Sequence, residues 1–328
     1  MWPRKPMWTI LVLVVCTLFV LTGCAQSDGT EPTSGKGSEA EGPNFSLGVD
    51  AKQVVARYAG GEVTAGEFEK YLALQYVLNP LYRAVVTDPE SREEVLRSYI
   101  AETILAGRAG NVDVQKEADS LFQAWRQAFD QAEGSRKAAD QLLKRLNLTE
   151  DDVRDYLVRY KRIETYLAGH VKDEDLRKRY AERQNDFTVA TVRHILISTD
   201  GRSDEEAKKL AAELVRRIQR GEDMAALAKQ YSDDPGSKER GGVYENARVT
   251  EWVPEFQQAV LTQAVGKVGA PVKTAYGYHV IRVEKREVLP FEKVHEELRV
   301  EALNEAYNRF YDKELPKLIR EITLPKVA

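Results

Sequence analysis

The chain has 328 residues, 43% of them hydrophobic and 30% charged, with a formal net charge of −4. That length allows about two domains, each with a well-buried core. The mildly acidic balance excludes the basic face that nucleic-acid binding needs.

Arg4 and Lys5 precede an apolar run over 10–21, followed by Thr22-Gly23-Cys24. A positive start, a short apolar core and small residues at its end read as an export signal over residues 1–23. About a dozen apolar residues are too few to cross a bilayer core. Leu21-Thr22-Gly23-Cys24 resembles a bacterial lipobox, and the resemblance implies that the Cys24 thiol is acylated and becomes the new N-terminus. Cys16 leaves with the signal, so Cys24 has no partner for a disulfide or a cysteine metal site within one chain. Acyl chains hold a protein to a membrane without a spanning helix. The expected location is therefore extracytoplasmic, lipid-anchored to the bacterial cell membrane. Residues 24–50, opening on a run rich in Ser, Gly, Glu, Thr and Pro, read as a flexible tether.

Residues 51–188 are expected to form a mainly helical domain. A short hairpin at 54–63 leads to Thr64 and Glu67, a capping box for a helix whose apolar stripe holds Phe68, Tyr71 and Leu72. Asn79-Pro80 ends that region. Further helices are expected from about 89, with Val95, Leu96, Tyr99, Ile100 and Ile104 at helical spacing, and over 114–132, 135–146 and 150–167. The aromatics here read as core; the competing reading is a groove for unfolded chains. His170 reads as a solvent-facing residue. Lys172 to Asp186 forms a charged helix, with Phe187 as its packing anchor. Residues 288–328 return to a helical pattern that needs an apolar surface, which the preceding helical domain supplies; that domain is then discontinuous in sequence. His295 on this helix reads as exposed.

Residues 189–287 have a different grammar. In the strand-like run 191–197, Val192, His194 and Leu196 share one face, and in 278–283 so do His279, Ile281 and Val283. Each histidine therefore lies in an apolar row where both ring nitrogens need partners, and if the strands are neighbours the imidazoles satisfy one another. Between them come a helix capped by Ser203 and Glu206, a second starting at Asp223, the turn Ser232-Asp233-Asp234-Pro235-Gly236, and a short helix opened by Pro254. The order β-α-α-loop-α-β, with extended pieces near 269–272, describes a small α+β domain.

These residues resemble the parvulin-type peptidyl-prolyl isomerases. The likeness rests on His194-Ile-Leu-Ile197, Tyr231-Ser-Asp-Asp-Pro-Gly236, Gly241-Gly242, Trp252-Val-Pro-Glu-Phe256 and Thr274-Ala-Tyr-Gly-Tyr-His-Val-Ile281. The whole chain resembles the exported foldase lipoproteins of the PrsA type, whose helical N-terminal region is similar to that of the SurA chaperones. The expected fold class is thus α+β: a parvulin-like antiparallel sheet with surrounding helices, beside a helical domain built from N- and C-terminal segments. The resemblance implies that His194 and His279 are the family's paired histidines, Asp234 its Cys-or-Asp position and Thr274 the hydroxyl of the histidine network. It puts Phe256 on the floor of the proline pocket, Trp252 where Met is usual and Tyr244 where Leu is usual. Val243-Tyr-Glu-Asn-Ala247 departs from the family's Asp-Leu-Gly-aromatic-Phe, and Tyr276 from a more usual Ser or Asp.

The chemistry implied is rotation about an X-Pro bond, which takes roughly 10–100 s unaided because about 18–20 kcal/mol of amide resonance must be broken. It needs an apolar grip and polar groups that favour the twisted amide, but no nucleophile, metal or cofactor. Plainer readings remain open: Asp234 as a turn residue before proline, Trp252 and Phe256 as ordinary packing. The loop 198–206 holds Arg202 among four acids, which disfavours phosphorylated substrates. Expected partners are unfolded or partly folded secreted proteins and the membrane, with a homodimer as an option and no nucleic acid. The alternative function is a holdase whose parvulin fold has little turnover. A solute-binding lipoprotein is disfavoured because no pair of α/β lobes is legible.

Overall fold

The computed structural model describes residues 43–325. The export signal, Cys24 and most of the tether lie outside the described residues. Among those described, no helix is long and apolar enough to cross a membrane. The chain divides into two compact units. One runs through Lys172 and resumes at Arg299; the other is Asp173–Leu298.

In the first unit, β1 (Val54–Tyr58) and β2 (Gly61–Thr64) form the expected hairpin. Thr64 then caps the helix Ala65–Leu78: its Oγ1 accepts from Glu67 N, and Glu67 Oε2 accepts from Thr64 N at 2.8 Å. Phe68, Tyr71 and Leu72 are fully buried. Helices Arg92–Ala109, Gln115–Ala132, Arg136–Arg145 and Glu150–Ala168 follow. The aromatics are core. Phe122, Trp125 and Phe129 pack on one another, and Trp125 Nε1 donates to the Val77 carbonyl at 3.1 Å. At the centre, the buried Glu102 accepts from Tyr71 Oη at 2.8 Å.

Two expectations change in this unit. The flexible tether does not extend to residue 50, because Phe45 and Leu47 are buried against the core and Leu47 N donates to Glu69 Oε1 at 2.6 Å. Two apolar side chains suffice to hold this stretch down. The C-terminal segment also contributes more than a helix. Leu303, Tyr307, Phe310 and Leu315 join the unit's core, and then Ile319–Ile322 pairs antiparallel with β1, giving a three-stranded sheet.

The second unit contains β3 (Thr188–Ser198), β4 (Val243–Arg248), β5 (Val272–Thr274) and β6 (Gly277–Val288), in the antiparallel order β4-β3-β6-β5. Completing the chain's numbering, Ile319–Ile322 is β7. β4 was not expected as a strand; it lies at the sheet's edge, where an alternating apolar row is not required. One face of the sheet, through Ile195, Ile197, Tyr278 and Val280, packs against the helices Asp204–Gln219 and Met224–Tyr231. The other, through Val192, Ile281 and Val283, packs against Phe256 and Val260 of the helix Pro254–Thr262. The unit starts earlier than residue 189. Its first helix, Asp173–Glu182, buries Leu176 and sets Tyr180 against Phe187 and Phe291, with ring centroids 5.6 and 5.7 Å apart. The helix Phe291–Arg309 likewise begins in this unit and ends in the other. His295 is partly exposed, its Nε2 2.9 Å from Asp173 Oδ1.

Candidate functional site

Side-chain alternation along β3 and β6 brings the site together. In their register Leu196 faces His279 and His194 faces Ile281, so the two histidines are diagonal neighbours on the face that carries Phe256. They are 4% and 6% exposed. The rings lie nearly parallel with centroids 5.6 Å apart and Nδ1 atoms 3.4 Å apart. Phe256 stands edge-on to both, at 5.4 and 5.3 Å.

Polar partners extend the pair at each end. His194 Nε2 is 3.0 Å from Asp234 Oδ2 and 3.1 Å from Ser237 Oγ. His279 Nε2 is 2.8 Å from Thr274 Oγ1, which also accepts from Tyr276 N at 3.1 Å. Ser237 Oγ and Tyr244 Oη both donate to Asp234 Oδ2, the latter at 3.1 Å. Three donors thus converge on one carboxylate oxygen, while Oδ1 accepts from Gly236 N at 3.3 Å. With each imidazole carrying one proton, the donors run in one direction: Thr274 hydroxyl to His279 Nε2, His279 Nδ1–H to His194 Nδ1, His194 Nε2–H to Asp234.

The electrostatics follow from this arrangement. The hydrogen bond from His194, followed by that from Ser237, holds the Asp234 carboxyl well below the usual carboxylate range despite its partial burial. Burial, reinforced by the neighbouring His194, pushes His279 down to about 4, although Asp234 pulls it the other way. Burial and the adjacent Asp234 charge raise the Tyr244 phenol.

A pH dependence of stability comes with these shifts. Unfolded, His279 takes up its proton near pH 6.5; folded, it does so only near 4. Between those values the unfolded chain binds more protons, so stability falls as pH falls, and Asp234 adds a loss of the same sign at still lower pH. Chemical denaturation followed from pH 7 to 4 is expected to lose on the order of 2 kcal/mol. A His279→Gln variant should show a flatter curve over that range; an equally steep one would remove His279 as the cause.

The histidine pair, Asp234, Tyr244, Trp252 and Phe256 line one cleft of about 900 Å³, joined by Tyr276, Pro235 and Val253. Trp252 and Phe256 pack at 5.2 Å between centroids. Every residue singled out in this unit therefore meets in one network or cleft, whereas Cys24 lies outside the described residues. Ser237 was missed. Its only signal was its place three residues after Asp234, at the end of the Asp-Pro-Gly turn. Tyr244 does more than fill a pocket wall, since its hydroxyl reaches the carboxylate.

A compact antiparallel sheet with a buried histidine pair beneath an apolar cleft is matched at the level of sequence: a model of the PPIC-type PPIase domain covers residues 175–287. The second unit is a parvulin-type peptidyl-prolyl isomerase. Beyond it, the foldase protein PrsA of Caldanaerobacter subterraneus is 30% identical over 239 residues, which span 72% of this chain and 70% of that one. The chain belongs to the PrsA foldase family. The chaperone SurA of Pseudomonas savastanoi is 43% identical over 133 residues, 40% of this chain and 30% of its own. A crystal structure of PrsA from Bacillus cereus aligns with 82% of this chain and 92% of its own at 23% identity and a TM-score of 0.42.

Proposed function

We propose that this protein is exported, tethered to the outer face of a cell membrane through Cys24, and accelerates X-Pro isomerisation in secreted proteins as they fold. The observation that carries the assignment of roles is the convergence of the histidine network and the apolar floor on one cleft.

Phe256 and Trp252 grip the pyrrolidine ring, with Tyr244 on the wall. As the amide twists out of conjugation, its oxygen gives up negative charge and its nitrogen regains a lone pair. The twisted form is less dipolar than the planar one, so an apolar floor that excludes water favours it. The Asp234 carboxylate adds to this: fixed through Oδ2, it disfavours negative charge on a nearby carbonyl oxygen and so opposes the planar form. His194, His279 and Thr274 hold the carboxylate and keep the strand face in register. No bond is made or cleaved.

The departure at Val243–Ala247 leaves this arrangement intact, because its strand supplies Tyr244 to the carboxylate. The test is an isomerisation assay on an unphosphorylated Ala-Pro peptide with protein from Ala25 onward. Acceleration well above the spontaneous rate is expected. A folded protein that gives none would overturn the reading and leave the holdase alternative.

The sequence Leu21-Thr22-Gly23-Cys24 supports the anchor. Labelled palmitate fed to expressing cells is expected to enter the wild type and not Cys24→Ala, and the variant is expected to leave the membrane fraction. Equal membrane association of the unlabelled variant would sink the anchor.

A further inference from the structure

The isomerase cleft carries a charge pattern that amide rotation does not require. Asp200, Asp233, Asp234 and Glu251 line it, and among the described residues no lysine or arginine does. Two of these carboxylates are committed. Asp234 belongs to the histidine network, and Asp233 accepts from Arg202 Nη1 at 2.7 Å and Ser198 N at 2.9 Å. Arg240, in the turn that follows, is occupied with the Gly236 carbonyl at 2.8 Å and lies over the Tyr244 ring at 5.7 Å. Asp200 and Glu251 are exposed and have no ion pair among the described residues.

An independent feature points to what these two carboxylates meet. Both share the lining of the cleft with two aromatic side chains, Trp252 and Tyr276. Glu251 precedes Trp252, and Asp200 follows Thr199, whose N–H donates to the Tyr276 carbonyl at 3.3 Å. Tyr276 is 61% exposed, an aromatic that the unit's own core does not use. A carboxylate next to an accessible ring receives a cation on an aliphatic stem: the charge is paired, the ring face attracts the cation, and the methylenes lie on apolar surface. An anionic side chain in the same place meets only like charge.

We propose that the cleft selects prolyl bonds flanked by lysine or arginine, with Asp200 and Glu251 setting the preference and Tyr276 receiving the side chain's stem. The proposal rests on the isomerase reading of this cleft and adds the class of client sequence it favours.

The test compares four peptides on the full mature chain: Ala-Xaa-Pro-Phe with Xaa as lysine, norleucine or glutamate, and Ala-Ala-Pro-Lys. Norleucine keeps the stem and removes the charge. At low salt, kcat/KM for the lysine peptide is expected to exceed that for glutamate about fivefold to tenfold, with norleucine between them. Ala-Ala-Pro-Lys shows whether the cation is read before or after proline. The spread should narrow in about 0.5 M salt, where exposed charges are screened. In the double variant Asp200→Asn/Glu251→Gln the lysine-to-glutamate ratio should collapse to about twofold or less. Equal rates for the charged peptides in the wild type, or a ratio that survives neutralisation of both carboxylates, would overturn the proposal. If the norleucine peptide itself is not accelerated, the isomerase reading fails instead. Titrating the peptides against the Trp252 indole resonance then decides the binding preference by the same ratio.

Discussion

Asp234→Ala is expected to lower kcat/KM for an Ala-Pro peptide about a hundredfold, the scale on which removal of a fixed electrostatic group usually acts. The carboxylate collects His194 Nε2, Ser237 Oγ and Tyr244 Oη on a single oxygen. Without it, three donors lose their acceptor and the histidine pair loses the charge that orients it. Because the cleft is open, water can satisfy those donors, so circular dichroism should be unchanged while turnover falls. Asp234→Asn keeps the shape and removes the charge. If it matches alanine, charge is the operative property; if it retains most of the activity, orientation of His194 is. An alanine variant with more than a third of wild-type kcat/KM would remove Asp234 from the mechanism.

Gly242→Ala should be among the most damaging single changes to the second unit's stability. Gly242 has φ +80°, and a Cβ there would lie 2.2 Å from the His194 carbonyl oxygen and 2.9 Å from Ala228 Cβ. Its own N–H donates to the Ser237 carbonyl at 2.8 Å, and its carbonyl accepts from His194 N at 2.8 Å. The glycine is therefore pinned between the strand that carries His194 and the turn that carries Ser237. Left-handed strain together with a backbone clash is expected to cost about 3 kcal/mol or more. That corresponds to about 10 °C in the unfolding midpoint for a unit of this size. Gly201→Ala is the control: it has φ +78° with nothing within 4 Å of a Cβ, so it carries the strain without the clash. Scanning calorimetry that finds the two variants equally stable would show that the packing at Gly242 relaxes freely.

The same geometry explains what could be read from sequence. His194 and His279 were legible because alternation in a strand fixes the face of each side chain, and a polar ring in an apolar row demands a partner. The capping boxes at Thr64 and Ser203 were legible because their hydrogen bonds are local. Ser237 was not, since its role depends on where a turn lands relative to a strand 43 residues away. β4 was obscured by its polar pattern and by Asn246, which adopts φ +48° within it. β7 has four residues, Ile-Arg-Glu-Ile, and becomes a strand only because β1 offers it an edge. The start of the second unit was misjudged for a related reason. The helix Asp173–Glu182 looks like part of a charged helical region, and contacts distant in sequence, such as Tyr180 donating to the Leu289 carbonyl at 2.8 Å, tie it to the second unit.

The pairing of β1 with β7 also sets an order of events during synthesis. Arg57 and Glu321 are 264 positions apart, yet their side chains meet across the two strands. A chain emerging N-terminus first completes the strands of the isomerase sheet well before Ile319–Ile322 appears. Through that interval β1 has β2 on one side and bare peptide groups on the other, and an unpaired edge is a template for any extended segment nearby. The foldase is thus its own first hazard. A polypeptide released short of Ile319 keeps that edge open and is expected to self-associate through it.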